Sequence, residues 1–267
     1  MHTIILLIIL FILVLMYYFK YNKNNQEHFE LNQNIPKVIY LTYKTKDIPE
    51  SVINKFKQVY PDYEIKIYDN NDCIDFLNKE FGQEYVDIFN FIKDGPIKAD
   101  FWRVCILYKY GGIYSDVDVV PVKNVNEILL PDTTFLTCIC SFFNNITPHF
   151  IVSAPNNIVL KMCIDKYMEF YRTKKEYTYW GWSIMHVMKP ILCKLLNKCV
   201  DKDGVYYDDN KNQYQFLQEV SNFKFTDLFH LIKLYHRLTN LGSGMHCEYD
   251  NKIILYNKNE NYSNHGF

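Results

Sequence analysis

The pattern of apolar and polar residues divides the chain into a short apolar beginning and a long remainder of mixed periodicity. Residues 3–19 are almost wholly apolar and carry no charge. At about 1.5 Å per helical residue, this run is close to the shortest that spans a bilayer. Residues 21–34 are polar and rich in asparagine, which is typical of a flexible stem. We therefore predict a transmembrane anchor over residues 1–20, a stem over 21–34 and a soluble domain over 35–267.

The residues that flank the apolar run bear on how such an anchor is oriented. No lysine or arginine precedes the run and no small-residue cleavage site follows it, which argues against a cleaved signal peptide. Lys20 and Lys23 follow the run, and basic residues next to a span are enriched on the cytoplasmic side. Taken alone, these two charges predict that the domain faces the cytoplasm.

Strand and helix patterns alternate along the predicted domain. The β-branched and aromatic run 35–43 predicts a buried strand, and 63–69 alternates as a second strand does. Between them, helix-spaced apolar residues predict a helix over 51–60 that ends before a proline. Further helices are predicted at 71–81 (capped by Asn71 or Asp72), up to about 92, and at 96–110, 156–171, 183–200 and 228–238. Further strands are predicted at 113–122 (with a break), 133–140, 149–153 and 253–256. The alternation predicts an α/β fold, with a mostly parallel sheet and helices on both faces.

Composition narrows the classes of function. The formal net charge of −1 leaves no basic surplus to neutralise phosphates, so no nucleic-acid partner is expected. The eight cysteines include no C-x-x-C pair, which argues against a zinc ribbon or a thioredoxin-like site. Most of them lie among apolar residues, as buried free thiols do, although an even number also permits disulfides.

Asp116-Val-Asp118 interrupts the strand pattern of residues 113–122. In α/β sheets, ligands bind beyond the carboxyl ends of the strands, which is where these carboxylates fall. Carboxylate oxygens are ligands for hard divalent cations, which usually keep water or substrate phosphates in their remaining positions. The spacing therefore predicts a site for Mn²⁺ or Mg²⁺ at Asp118 and Asp116.

The helix predicted at 96–110 carries a charged pair on an otherwise apolar surface. Asp100 and Arg103 are three residues apart and therefore neighbours on one face. Two interpretations stay open, because the pair could form an internal salt bridge or could face a ligand, and a guanidinium fork suits phosphate oxygens. Gly111 is expected to end the helix, while Gly112 permits close approach of another backbone or a ligand. Tyr114 is placed to present its ring or hydroxyl at the same edge.

The Asp-x-x-Arg helix, the Gly-Gly-Ile-Tyr that follows it and the Asp-x-Asp resemble glycosyltransferase family 32 over about residues 35–125. This family of sugar transferases with a DXD motif includes α-mannosyltransferases, mannosyl inositol-phosphoceramide synthases and capsular polysaccharide enzymes. The resemblance implies a GT-A-like, Rossmann-type fold, a nucleotide-sugar donor, Mn²⁺ or Mg²⁺, and retention of anomeric configuration. It also implies that the domain lies on the lumenal side of a membrane, whereas Lys20 and Lys23 predict the cytoplasmic side.

The resemblance also implies roles for individual residues. Asp100 and Arg103 would contact the donor sugar and its phosphate. Asp116 would reach the ribose or sugar and the metal, and Asp118 would be the main metal ligand. We therefore predict a catalytic set of Asp100, Arg103 and Asp116. The predicted donor-binding set adds Tyr43, Gly112 and Tyr114.

Three segments depart from the family pattern. Relatives often carry Ile-His-Gln-x-Trp on the first strand, where this chain has residues 39–43 (IYLTY), so that Tyr43 is left to stack on a nucleobase. The late histidine that completes the metal site in relatives corresponds here to His265, next to a chain end without the usual Ser-Trp. Trp180-Gly-Trp182 replaces a Thr-Gly-Pro loop, and either shapes an acceptor site or packs in the core.

Taken together, the sequence predicts a membrane-anchored hexosyltransferase that uses a UDP- or GDP-linked sugar. Its acceptor would be a glycan, a glycolipid or a protein, and residues 3–19 would hold it in the lipid bilayer. One alternative is a catalytically silent glycan- or nucleotide-binding protein of the same fold. A remote alternative is an aspartyl-nucleophile phosphatase, which also uses Asp-x-Asp but normally places it on the first strand.

Overall fold

The structure is a computed structural model that describes residues 35–140, 145–221 and 245–257. The strands are β1 (Val38–Thr42), β2 (Glu64–Tyr68), β3 (Gly112–Ser115), β4 (Val119–Pro121), β5 (Thr133–Cys140), β6 (Asn145–Ser153), β7 (Gly204–Tyr207), β8 (Gln213–Ser221), β9 (Met245–Tyr249) and β10 (Lys252–Asn257). The helices are α1 (Glu50–Val59), α2 (Asn70–Phe81), α3 (Gln83–Phe91), α4 (Gly95–Tyr110), α5 (Ile158–Arg172), α6 (Tyr179–Trp182) and α7 (Ile184–Leu195), with a 3₁₀ turn at Val125–Glu127.

The strands form one mixed sheet in the order β2-β1-β3-β6-β5-β8-β9-β10-β4, with β7 beside β8. Strand β1 pairs in parallel with β2 and β3, and β5 with β8, while the other six pairings of described strands are antiparallel. The prediction of a mostly parallel sheet is therefore wrong outside β2-β1-β3. Short connections account for three of the antiparallel pairings, β5-β6, β7-β8 and β9-β10. At Asp250 and Asn251, for example, two positive-φ residues join β9 to β10.

Helices cover both faces of the sheet, as predicted. Alternate residues of β1 point to opposite faces, so that Ile39 and Leu41 join one apolar cluster and Tyr40 the other. Helices α2 to α5 and α7 pack on the side of Tyr40, and α1 packs on the opposite side. Helix α4 is buried along most of its length, which explains its nearly continuous apolar sequence.

The helix termini confirm the predicted end of α4 and correct the predicted cap of α2 and the predicted end of α7. Asp69, rather than Asn71 or Asp72, caps α2: its carboxylate accepts from the backbone N–H of both residues, and Asp72 reciprocates. Gly111 ends α4 with φ of 65°. Helix α7 ends at Leu195 rather than near 200. A disulfide joins Cys193, in the last turn of α7, to Cys199 beyond its end.

Several predictions fall outside the described residues. These are the anchor and stem, the helix at 228–238 and His265. Among the helices that the structure describes, none combines the length and the apolar character that a membrane span requires. Strands β7, β8 and β9 were not predicted. Six further cysteines are free and buried, which agrees with the expectation of buried thiols.

Candidate functional site

A cavity of about 290 Å³ opens beyond the carboxyl ends of β1 and β3, against the first turns of α4. Five residues predicted for the site line it: Tyr43, Arg103, Tyr114, Asp116 and Asp118. Two lysines on its wall, Lys44 and Lys98, were not predicted. No sequence signal separates these two from the many other lysines, because their position depends on how the loop after β1 meets α4.

Arg103 is the centre of the buried polar cluster at this cavity. Its Nη2 lies 3.2 Å from Asp100 Oδ1 and 3.2 Å from Asp116 Oδ1. Its Nη1 donates to the carbonyl of Pro148 at 2.6 Å, and its Nε donates to the carbonyl of Ala99. The guanidinium also lies 4.2 Å from the centre of the Tyr114 ring. The internal salt bridge is thus present, and Arg103 joins both predicted catalytic carboxylates rather than only one.

Asp100 lies behind the cavity rather than on its wall. Its Oδ2 accepts from the backbone N–H of Ile184 at 3.0 Å, which ties α4 to the first residue of α7. Burial raises the pKa of Asp100 to about 6, although the charge of Arg103 and the hydrogen bond from Ile184 partly offset that effect. Its geometry therefore fits a residue that positions Arg103 and the α6–α7 segment.

The turn that carries the two other carboxylates is held by backbone and side-chain bonds. The Tyr114 hydroxyl donates to Asp116 Oδ1 at 2.7 Å, on the same oxygen that faces Arg103. The backbone N–H of Asp116 donates to the carbonyl of His149 on β6, and the N–H of Val119 closes the turn onto the carbonyl of Asp116. The orientation of Asp116 is thus fixed from three elements.

Asp118 is the carboxylate whose charge is least compensated. Burial, followed by the negative charge of Asp116, raises the pKa of Asp118 to about 7. Within the described residues, no lysine or arginine forms an ion pair with it. A hard divalent cation would neutralise this pair of neighbouring carboxylates, and their oxygens are ligands that such ions prefer. The donor set of Asp116 and Asp118 therefore fits Mn²⁺ or Mg²⁺.

Gly112 has a structural explanation that needs no ligand. It does not line the cavity, and its φ is 104°. A Cβ there would lie 2.7 Å from the carbonyl oxygen of Val38 and 3.2 Å from the ring of Tyr40. The structure therefore places Gly112 at the close approach of β3 to β1, apart from the other residues predicted for donor binding.

The two tryptophans near residue 181 have different environments. Trp182 is fully buried among aromatic rings, and its indole N–H donates to the carbonyl of Glu176. Trp180 has 62% of its surface exposed and lies edge-on to His186. Between the two interpretations left open for this segment, packing holds for Trp182, while Trp180 is available on the surface. The adjacent Tyr179 is 38% exposed, and partial burial, followed by the charges of Asp100 and Asp94, raises its pKa.

Next to the Asp116 turn, Cys138, His149 and Cys247 form a buried cluster that the sequence did not predict. Burial raises the pKa of a thiol, but contacts with Cys247 and His149 bring that of Cys138 down to about 7. Burial lowers the pKa of an imidazole, yet Cys138 and Glu219 raise that of His149 to about 9. No spacing motif could reveal this cluster, because its members lie on three different strands.

Residues 19–136 match the family model described as "Glycosyltransferase sugar-binding region containing DXD motif". Over these residues, the chain is similar to this family. The matched stretch contains Asp100, Arg103, Tyr114, Asp116 and Asp118, and thus all the acidic residues of the polar cluster at the cavity. The similarity to the family therefore involves the same residues that the structure brings together.

Named relatives match this chain over part of their length. "Inositol phosphoceramide mannosyltransferase 3" of Schizosaccharomyces pombe is 32% identical over 109 residues, which are 40% of this chain and 30% of that protein. "Mannosyl phosphorylinositol ceramide synthase SUR1" of Saccharomyces cerevisiae is 37% identical over 89 residues, 32% of this chain and 23% of that protein. The chain thus spans less than a third of the length of either relative. Among solved structures, "PaToxG Glycosyltransferase" aligns at a TM-score of 0.48 and 18% identity, over 65% of this chain and 74% of that chain.

Proposed function

We propose that this chain is a metal-dependent, retaining glycosyltransferase with a GT-A-like domain. It would move a hexose from a UDP- or GDP-linked sugar to a glycan, glycolipid or protein acceptor. The observation that carries the proposal is the cavity in which Asp116 and Asp118 meet the Arg103–Tyr114 cluster, within the family match. Retention of configuration is supported by the family resemblance alone.

The donor diphosphate would lie between the carboxylate turn and the lysines of the cavity wall. Asp118 and Asp116 would hold Mn²⁺ or Mg²⁺. The ion would neutralise the negative charge that develops on the leaving diphosphate. Lys44 and Lys98 line the same cavity and offer ammonium groups to phosphate oxygens. Tyr43 lines the cavity beside Lys44 and offers an aromatic face to a nucleobase.

Arg103 would act by positioning rather than by direct contact with phosphate. Its guanidinium already bonds two carboxylates and two backbone carbonyls. The bonds from Tyr114 and Arg103 to Asp116 fall on Oδ1, so we assign Oδ2 to the metal or a donor hydroxyl. A site held this rigidly is already oriented before the donor binds, which is how electrostatic preorganisation lowers a barrier.

The acceptor would enter over the α6–α7 segment. Trp180 is exposed there, and an indole face is a surface on which sugar rings pack. The names of the two relatives favour a mannosyl donor and an inositol phosphoceramide acceptor. A membrane acceptor also suits the proposed anchor over residues 3–19, with residues 21–34 as the stem of the domain.

A donor panel with the full chain tests this proposal. Purified protein in detergent with Mn²⁺ would be mixed with UDP-glucose, UDP-galactose and GDP-mannose, with and without inositol phosphoceramide, and nucleotide release would be measured. We expect release from one donor, stimulated by acceptor and abolished by EDTA, with a product of unchanged anomeric configuration by NMR. Binding of a nucleotide sugar without turnover on any acceptor would replace the transferase by a binding protein of the same fold.

A further inference from the structure

Three buried metal-ligand side chains meet beside the carboxylate turn. One ligand atom each from Cys138, His149 and Cys247 lies within 4.8 Å of the others, and Cys247 Sγ is 3.5 Å from His149 Nε2. Both cysteines are fully buried and His149 is 7% exposed. Because the three belong to β5, β6 and β9, the cluster exists only when the sheet is assembled.

The register of the sheet places the two thiols on the same face. Strand β8 lies between β5 and β9, and on it Leu217 pairs with Cys138 while Glu219 pairs with Cys247. Residues 217 and 219 are two apart, so their side chains and those of both cysteines point to one side. The carboxylate of Glu219 is buried there too, and its charge acts on all three members of the cluster.

A bulge in β6 turns the histidine toward the thiols. Thr137 pairs with Ile151 and the next residue, Cys138, pairs with Thr147, so three residues of β6 lie opposite a single step of β5. His149 is the middle one of the three. Bulges of this kind redirect a side chain that regular pairing would place elsewhere. The fold therefore uses an irregular strand to complete the cluster.

We propose that Cys138, His149 and Cys247 form a metal site for Zn²⁺, separate from the hard-cation site at Asp116 and Asp118. Thiolate and imidazole are ligands of zinc, whereas Mg²⁺ and Mn²⁺ favour carboxylate oxygens. With Zn–S of about 2.3 Å and Zn–N of about 2.0 Å, tetrahedral ligands place sulfur about 3.5 Å from nitrogen. The observed separation between Cys247 Sγ and His149 Nε2 is 3.5 Å. Glu219 would complete the four ligands by a change of rotamer, since its carboxylate lies outside the 4.8 Å cluster and its Oε1 accepts from the Asn257 amide.

Ordinary core packing explains other thiols of this protein but not these. Cys105 and Cys163 are equally buried, and burial is the one cause that acts on their pKa, which it raises. The cluster instead collects an imidazole and a carboxylate with its thiols, and burying such polar groups is costly unless they are paired or coordinate a metal. A disulfide between Cys138 and Cys247 would need neither His149 nor Glu219.

The zinc would act structurally on the neighbouring turn. The carbonyl of His149 accepts the backbone N–H of Asp116 at 2.8 Å. An ion that fixes the His149 ring to β5 and β9 also fixes the carbonyl that anchors the Asp116 turn. A buried site in which the protein supplies the ligands is typical of structural rather than catalytic zinc.

Metal analysis of the full chain tests the site directly. Protein purified in detergent under reducing conditions should contain one zinc per chain by mass spectrometry of the elements. Replacement by Co²⁺ should give a thiolate-to-cobalt charge-transfer band in the near ultraviolet. Carboxylate ligation at Asp116 and Asp118 gives no such band, so the wild-type spectrum alone separates the two sites.

Variants assign the band to these residues. Cys138→Ser and Cys247→Ser should each lose it and weaken zinc binding by more than about 100-fold, since even a residue outside the ligand sphere can change affinity 10–100-fold. The matched control Cys163→Ser removes an equally buried thiol and should keep the band, as should Asp118→Asn. A reduced wild-type protein that shows no charge-transfer band overturns the proposal. So does a Cys138–Cys247 disulfide found by peptide mapping of metal-free protein.

Discussion

Two turns of this protein each bury an aspartate beside a strand, and they treat its charge in opposite ways. Asp208, between β7 and β8, accepts from the backbone N–H of Asn210 and Asn212, the Asn212 amide and the Tyr214 hydroxyl, all at 2.8–2.9 Å. These donors outweigh burial, and the pKa of Asp208 is lowered. Asp118 has a carboxylate for a neighbour instead, and burial and Asp116 raise its pKa to about 7.

Surface exposure does not distinguish the two residues, since each is 8% exposed. They differ in depth, because Asp118 lies among more protein atoms than Asp208, and in whether the protein itself supplies the donors that compensate the charge. A carboxylate with a full set of internal donors stabilises the fold, and one that lacks them is stabilised by something that binds. The comparison therefore separates a structural turn from a candidate ligand site by physical criteria alone.

The largest expected effect comes from removing Arg103, whose guanidinium forms an ion pair with Asp116 but not with Asp118. Arg103→Met should lower the free energy of unfolding by about 3–5 kcal/mol, because it leaves the buried Asp100 and the part-buried Asp116 without a cationic partner. Chemical denaturation of the full chain measures this. The control is Arg172→Met, which breaks an exposed pair with Glu84 and should leave the free energy of unfolding nearly unchanged. Equal losses in both variants would mean that Arg103 does not compensate buried charge.

Asp118→Asn should lower donor turnover by about 10²–10³-fold, since charge stabilisation at a leaving group typically has that magnitude. Its unfolding free energy should stay the same or rise, because a repelled carboxylate is removed. Nucleotide release with Mn²⁺ and thermal unfolding with EDTA give the two readouts. Turnover and metal affinity that survive the substitution would contradict the assignment of Asp118 to the metal.

Asp208→Asn should behave in the opposite way. An amide cannot accept the same four bonds as a carboxylate, and buried donors left unpaired cost about 1–3 kcal/mol. We therefore expect a lower free energy of unfolding with unchanged turnover per folded molecule. Parallel unfolding and nucleotide-release assays check this against wild type. A loss of turnover without a loss of stability would place Asp208 in the active site, and the two turns would then no longer differ in function.

The sequence predicted β1 to β4 and α1 to α4 closely, because apolar periodicity and turn residues agree in that half. It missed β8, whose glutamines resemble a polar loop. The structure shows that Gln215 is buried, with its amide donating to Ile128 and its carbonyl accepting from Thr133. Such compensation comes from a distant segment, so no local pattern could indicate it.

In the candidate site, too, some residues could be predicted from local spacing, while others depend on the tertiary structure. Residue spacing was enough to name Arg103, Asp116 and Asp118, since all follow from one helix and the turn after the next strand. Gly112 was assigned to the donor, because from sequence alone a glycine needed for strand packing resembles one needed for a ligand. His149 could not be found, since a bulge in β6 creates its position.

The prediction that isolates charge is the pH dependence of stability. In EDTA, Asp118 ionises near pH 7 when folded and near pH 4 when unfolded, so the native state loses stability as pH rises from about 4 to 7. The advantage of Asp118→Asn over wild type should therefore grow across that window and level off above it.

The pH dependence that Asp208 contributes has the opposite sign, because its lowered pKa gives stability that is present above about pH 4 and lost below it. The deficit of Asp208→Asn should accordingly shrink only as the pH falls below about 4. Denaturation curves at several pH values measure both differences, and added Mn²⁺ should reduce the first without changing the second. Profiles of the same sign for the two variants would show that internal donors do not explain the difference between the turns.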